Sequence, residues 1–349
     1  MRAWVAVALL CTCLPGYAQP ETNASCSDFR IMFYNVENLF DPFHDSLKND
    51  YEFVSGGIKG WTWKKFEKKL NSISKVIINA GGWQPPEIVA LCEVENRFVL
   101  IQLLKRTPLE RFGYRIIHVE SPDERGIDVC LLYRSDKFKE LSHQAIRVCS
   151  TDSSLKTRDI LYVKGLLKNN GSVNNSDTLH IFVNHWPSRS GGIALSADKR
   201  KDAALTLKAA VDSIMNIQPQ ALIVLTGDFN DEPSDESLTI HLGAGQSNIS
   251  PDQPLVNLMA FQNTIKGIGT NKYKGQWGII DQFIVSSNLL HQHCNGVKVS
   301  KAEILNLPFL LQNDETFSGT TPFRTFNGMQ YLGGFSDHLP VMLTLNLGN

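Results

Sequence analysis

The chain has 349 residues, 42% of them apolar and 20% charged, with 34 basic and 35 acidic side chains and a formal net charge of −1. That length buries one large core or two small ones, and that composition excludes a disordered chain. The charge balance excludes a protein that holds nucleic acid by bulk basic charge. An anionic ligand has to be held locally, by a few side chains or a metal.

Residues 1–18 read as a signal peptide. Arg2 supplies the positive start, Trp4 to Leu10 a short apolar core, and Gly16-Tyr17-Ala18 a small-x-small cleavage site before Gln19. The apolar run is too short to span a bilayer; a frayed N-terminal helix is the plainer alternative. Cys11 and Cys13 follow Leu10 and Thr12 rather than the small residue of a lipoprotein site. We expect export without a membrane anchor, to the periplasm or beyond the cell, and a single domain over 19–349. Of the remaining cysteines, Cys26, Cys92, Cys130, Cys149 and Cys294, one at least is unpaired. Cys92 and Cys130 lie in apolar runs and read as buried thiols. No disulfide framework and no zinc spacing is expected.

"RIMFYNVENLF" from Arg30 predicts a strand ending in polar residues. In "WTWKKFEKKLNSISKVIINAGG", Trp63, Phe66, Leu70, Ile73 and Ile77 recur at three and four, which predicts an amphipathic helix stopped by Gly81. "EIVALCEVEN" and "IDVCLLYR" predict two more strands. "ILYVKGLLK" and "TLHIFVNHWP" predict a hairpin across the polar loop Asn169–Asp177. Ser196–Ile217 reads as a long helix with Ala203, Leu207, Ala210, Val211 and Ile214 on one face. "ALIVLTGDFNDEP", "GIIDQFIVS" and "HLPVMLTLNL" complete the strands. Hairpin-like neighbours favour antiparallel or mixed sheets over a doubly wound parallel sheet. We expect two packed sheets with helices outside.

Polar residues sit where these strands end: Asn35, Glu93, His185, Asp228 with Asn230, Asp281, and Asp337 with His338. Each has a bland reading alone. Asp228 and Asn230 suit a turn, Glu93 a solvated strand end, and His185 a satisfied ring beside Trp186. Brought to one sheet edge, they would form an acidic pocket suited to a hard divalent cation such as Mg²⁺. Asp228 could take a proton if neighbouring acids raise its pKa, and an Asp281–His338 pair would fix the imidazole and favour its charge.

The stretches "FYNVENLF", "ALCEVEN", "VNHWPS", "TGDFND", "IIDQFIVS" and "FSDHLPV" occur in the order that characterises one superfamily. The chain resembles the endonuclease/exonuclease/phosphatase superfamily, which contains DNase I-like nucleases, repair exonucleases, inositol-polyphosphate 5-phosphatases and sphingomyelinases. "YNVENLFD" with "HWPSRSGG" is most similar to bacterial exported members. The resemblance implies a four-layer α/β/β/α sandwich of two mixed, mostly antiparallel sheets, with the site at one end. It implies that Asn35, Glu93 and Asp337 hold Mg²⁺ or Mn²⁺, and that Asp228 activates water beside Asn230. Asp281 would orient His338 on the phosphate, and His185 would lie near the leaving group. Thr157-Arg158-Asp159 resembles a DNase I segment whose arginine meets phosphate, which makes Arg158 a substrate contact.

Other residues keep two readings. Arg189 clamps phosphate or is a solvated loop arginine. Asp128 orients His185 or pairs with Arg125. Phe323, Arg324, Phe326 and Tyr331 stack on bases or sugars, or pack in a loop. Asp41, Asp45 and Asp50 bind a structural Ca²⁺ or form a solvated loop. The expectation is an exported metal-dependent phosphodiesterase acting on nucleic acid with low specificity. The alternatives are a phosphatase or phospholipase C-type hydrolase on a small phosphoester or lipid, and a catalytically inactive binding protein on the same fold. No stable membrane anchor and a monomeric chain are expected.

Overall fold

The computed structural model describes residues 27–82, 84–150, 156–168, 178–189, 191–245, 254–260, 267, 269–290 and 296–348. The expected signal peptide, Cys26, Cys294 and the 169–177 connection lie outside them. In chain order the strands are β1 Ser27–Leu39, β2 Ile88–Val94, β3 Tyr114–His118, β4 Asp128–Arg134, β5 Phe138–Ile146, β6 Ile160–Leu167, β7 Thr178–His185, β8 Leu222–Asp228, β9 Ala244–Gly245, β10 Leu255–Asn257, β11 Asn271–Tyr273, β12 Gln276–Gly278, β13 Asp281–Ser286, β14 Val297–Ile304, β15 Leu311–Asn313, β16 Thr320–Pro322, β17 Phe326–Asn327, β18 Gln330–Tyr331 and β19 Val341–Leu347. The α-helices are α1 Trp63–Ala80, α2 Arg97–Lys105 and α3 Ile193–Ile217.

Six strands pair in the order β14-β19-β1-β2-β4-β3 and seven in the order β5-β6-β7-β8-β13-β10-β9. β1 with β2 and β7 with β8 are parallel, and most other pairs are antiparallel. Alternation along β8 explains the layering. Val224 joins the core shared by the two sheets, while Ile223 and Leu225 join a second core with Ala203, Ala204, Leu207 and Val211 of α3. On the other side, Phe66, Leu70, Ile73 and Ile77 of α1 and Val99, Leu100 and Leu103 of α2 bury against the first sheet. The result is the expected α/β/β/α sandwich. Among the described residues no helix is long and apolar enough to cross a membrane.

The expected helix at Trp63 runs to Ala80 with Gly81 as its C-cap. α3 begins at Ile193, three residues before the expected start. Several elements escaped the sequence reading, α2 and β5 among them. α2 is a nine-residue run, "RFVLIQLLK", whose apolar density hides its period; its signal is the N-cap, where the Asn96 side chain accepts from the Val99 N–H. β5 is an exposed edge strand of the seven-stranded sheet, with too little apolar content to read as one. Cys92 and Cys130 are buried thiols, as expected, and Cys149 is exposed.

β7 and β8 carry their terminal residues to the same end, with His185 level with Asp228 and Asn184 level with Gly227. A Cβ on Gly227 would stand 2.3 Å from the Asn184 carbonyl oxygen and 2.6 Å from its Cβ. The first is backbone and cannot swing away, so only glycine lets the two strands run this close. Gly227→Ala is therefore expected to lower unfolding free energy by about 1–3 kcal/mol. Urea denaturation followed by circular dichroism checks it; an unchanged midpoint would show that the strands can part without cost.

Candidate active site

The strand ends meet between the two sheets. Asn35 comes from β1 and Glu93 from β2 of the six-stranded sheet; His185, Asp228 and Asp281 come from β7, β8 and β13 of the other. Asp281 is level with Asp228 across the β8–β13 pair. The Asn35 amide donates to Asp228 Oδ2 at 3.0 Å and lies 3.4 Å from Glu93 Oε1. His185 Nε2 stands 3.8 Å from Asp228 Oδ2 and 4.0 Å from Glu93 Oε1. His338 Nε2 is 3.9 Å from the same Asp228 oxygen, and its Nδ1 donates to Asp281 Oδ2 at 2.7 Å. One carboxylate oxygen is thus ringed by an amide and two imidazoles. Asn35, Asp228, Asp281, His185 and His338 are all buried.

Burial sets the proton distribution. It raises Asp228 to about 7, with Asp281 adding to the rise and His338 opposing it. It pushes His185 well below its ordinary value, helped by Arg158 and Arg125, so that ring is neutral. Burial also opposes charge on His338, but Asp281, Asp228 and Asp337 outweigh it, and that ring is held well above its ordinary value. Two histidines either side of one carboxylate are separated in charge, the pattern that divides acid and base roles in a site.

The backbone is strained here. Among the described residues the non-glycine positions in the left-handed region are Glu37, Asn38, Glu93, Asn230 and Lys274. Each costs about 1–2 kcal/mol, and the first four belong to the quoted motifs. Glu93 is held by the Asn38 N–H at 2.9 Å. Asn230 donates from its amide to the Trp186 carbonyl at 3.0 Å, while its N–H reaches Asp228 Oδ1 at 2.9 Å.

Asp337 is close in sequence to His338 but differently held. Its Oδ2 accepts from Arg324 at 2.8 Å. Arg324 also lies 3.7 Å from Glu37 Oε1. Glu37, pushed up to about 7 by burial and Asp337, caps the Thr325 and Phe326 N–H groups. Lys69 of α1, lowered to about 8 by burial, donates to Thr325 Oγ1 and the Phe335 carbonyl. This support of Glu37, Lys69 and Arg324 under the Asp337 loop was missed in the sequence. Its traces were Lys69 between Phe66 and Leu70 on the apolar face of α1 and Arg324, read as a stacking or loop-packing residue.

The oxygen donors suit a hard divalent ion. Among the described residues two His–carboxylate groups have ligand atoms within 4.8 Å of one another: His118, Glu120 and Asp128, which is partly exposed, and Asp228, Asp281 and His338, which is buried. A charged imidazole already bonded to Asp281 is a poor ligand, which leaves the oxygens of Asn35, Glu93 and Asp337. Glu93 and Asn35 are adjacent, whereas Asp337 is bonded to Arg324. Asn35 Oδ1 accepts from the Glu37 N–H at 3.0 Å.

The remaining residues resolve individually. Arg158 is buried, on Asp123 at 3.1 Å and on the His185 and Trp186 carbonyls. Arg189 spans the Asn230 carbonyl, Asp231 and Asp235. Asp128 takes neither expected partner: His118 Nε2 is 3.1 Å away and the Ser121 N–H donates to it. Phe326 packs against Phe53, Trp61 and Tyr331. Asp41 and Asp50 are buried rather than solvated, with oxygens taken by the Phe43 N–H and Asn96 and by His44 and the Asp45 N–H. That loop is a hydrogen-bonded turn, in which Asp45 Oδ1 also accepts from the Leu47 N–H.

A family model described as "Endonuclease/Exonuclease/phosphatase family" matches residues 30–347. No curated relative matches the chain. Among solved structures, an endonuclease/exonuclease/phosphatase family protein from Bacteroides thetaiotaomicron is 15% identical, with 92% of this chain and 98% of that chain covered and a TM-score of 0.56. A mannosyl-6-phosphatase from the same organism is 16% identical, with 91% and 99% covered and a TM-score of 0.56. TDP2 of D. rerio, complexed with single-strand DNA product, is 14% identical, with 92% and 99% covered and a TM-score of 0.53. At such identities these likenesses show the fold.

Nitrogen-15 NMR of the histidine rings in EDTA is expected to find His338 still protonated where a free imidazole is neutral, and His185 still neutral where a free imidazole is charged. In Asp281→Asn, His338 should titrate at lower pH, since its strongest raising partner is gone. Equal titration of the two rings would remove the division of charge.

Proposed function

The chain belongs to the endonuclease/exonuclease/phosphatase family, whose members are metal-dependent phosphoester hydrolases, and we propose that it is an exported phosphodiesterase acting on nucleic acid with little sequence preference. The observation that carries the chemistry is the buried Asp228 carboxylate, raised to about 7 and faced by the charged His338 and the neutral His185. The nucleic-acid substrate and the export rest on the motif resemblance and on the signal-peptide pattern of residues 1–18.

In-line hydrolysis needs a proton acceptor for water, positive charge on the phosphate oxygens and stabilisation of the leaving oxygen. Asp228 accepts the proton; its pKa near neutrality matches the task. Asn230, fixed by its strained backbone and by Trp186, positions the water beside it. His338, kept charged by Asp281, places a donor and a positive charge against the phosphate. His185 holds no spare proton, so its Nε2–H stabilises the leaving oxygen by hydrogen bonding. Asn35, Glu93 and Asp337 would hold a Mg²⁺ or Mn²⁺, which supplies Lewis-acid stabilisation of the phosphate oxygens when bound.

A second reading, a hydrolase of a small phosphoester, is favoured by one observation. Arg158, Arg189 and Arg324 around the site are each already paired with carboxylates. They offer little to neutralise a long polyanion.

Purified protein is expected to hydrolyse bis-p-nitrophenyl phosphate and release acid-soluble nucleotide with Mg²⁺ or Mn²⁺, and to stop in EDTA. Asp228→Ala and His338→Ala should each lose more than ~10²-fold in kcat. The acid limb of kcat/KM should rise with pH to a midpoint at or below 7, because a bound cation favours the Asp228 carboxylate. Hydrolysis of p-nitrophenyl phosphate but not of the diester would replace the first reading by the second, and no metal-dependent hydrolysis of either would sink both.

A further inference from the structure

We propose that the cavity beside Asn230 is a sugar subsite, in which Tyr273 covers one face of a hydroxylated ring and Glu232 accepts from two adjacent hydroxyls of that ring. The inference rests on the hydrolase reading above, because the ring would be the one attached to the phosphate.

The cavity has a volume of about 690 Å³ and shares Asn230 with the site. That size suits a sugar or nucleoside rather than a lone phosphate. One wall is the β11–β12 hairpin. Its register sets Tyr273 opposite Gln276 and Asn271 opposite Gly278, so Asn271, Tyr273 and Gln276 share a face. All three line the cavity.

The hairpin is fixed to the catalytic segment. Asn271 bridges to His338, and its amide donates to the Asp337 carbonyl at 3.0 Å. On the opposite face the Lys272 side chain is 3% exposed and donates to Asp314 and to the Ser318 and Thr320 carbonyls. Lys274 and Gly275, with φ of 47° and 81°, make the two-residue turn. Yet Tyr273 on this rigid frame is 70% exposed. Its only ring neighbour among the described residues is Lys274, 5.3 Å from the centroid. A large aromatic on a cavity wall, with no other ring stacked on it among the described residues, offers a stacking surface to a flat ligand.

The floor gives the polarity. Glu232 Oε2 accepts from the Ile279 N–H at 3.0 Å. Its Oε1 lies 2.5 Å from where a Cβ of Gly278 would stand, so the carboxylate lies close against that glycine. Arg189, the cavity's cation, is spent on Asp231 and Asp235. An acidic floor repels a second phosphate and suits neutral hydroxyl donors, as an acidic side chain does on a ribose. The ring source is a ribonucleotide or a hexose phosphate. A nucleobase stacked on Tyr273 without use of Glu232 is the competing occupant.

The test is calorimetric titration in EDTA, without turnover, of ribose 5-phosphate, 2-deoxyribose 5-phosphate, glucose 6-phosphate, AMP and dAMP. Ribose 5-phosphate is expected to bind at least tenfold more tightly than its deoxy analogue. Glu232→Gln and Tyr273→Ala should each weaken it about tenfold with unchanged circular dichroism. Tighter glucose 6-phosphate or tighter AMP each supports the subsite and names the source of the ring. Equal binding of ribose and deoxyribose phosphates, equal binding of AMP and dAMP, insensitivity to both variants, or no binding at millimolar concentration would each overturn it. Selective binding by a protein that hydrolyses nothing would sink the hydrolase reading and leave the subsite standing.

Discussion

The Asn35–Asp228 hydrogen bond joins the two sheets at the end where the polar residues of the candidate site face one another. A carboxylate with 2% exposure is costly unless its neighbours are arranged for it. Here the arrangement is complete: an amide from one sheet, an imidazole from the neighbouring strand, and a second imidazole that Asp281 holds in its charged form. Remove the sandwich and none of these contacts survives, since each comes from a different strand end. The core therefore does more than stabilise the fold. It sets the local dielectric that lifts Asp228 and separates the two histidines.

The left-handed residues show where stability is given up for placement. Glu37, Asn38, Glu93 and Asn230 are bent against their preference, and each is tied by hydrogen bonds to a segment distant in sequence. Arg324, Lys69 and Glu37 extend that support below the Asp337 loop. Strain of this sort persists only where surrounding structure over-determines it, and the dense hydrogen bonding supplies that condition.

Much of this was legible in the sequence. Apolar runs ending abruptly in Asn35, Glu93, His185 and Asp228 marked strand ends at one edge, and the 3.6-residue period of α1 was plain. What stayed hidden has physical reasons. α2 is apolar on too many sides for a period to stand out. β5 is an edge strand with little to bury. Lys69 and Glu37 are charges that acquire meaning only through partners more than 200 positions away. Asp128 was read as orienting His185 or pairing with Arg125, whereas the pairing of β3 with β4 brings its carboxylate to His118. Tyr273 and Gln276 lie in a stretch without apolar rhythm, and their common face exists only once the hairpin closes.

The first strand of the sandwich pairs antiparallel with the last, and Ser336 Oγ donates to the Asn35 carbonyl at 2.6 Å across 301 positions. Contacts this distant in sequence are slow to form. In a chain emerging from its N-terminal side, Asn35 and Glu93 must wait for Asp228, then Asp281, and finally His338. The polar edge thus gains its full charge pattern only as β19 docks beside β1. Closure of the sheet and completion of the site are a single event in the folding of this molecule.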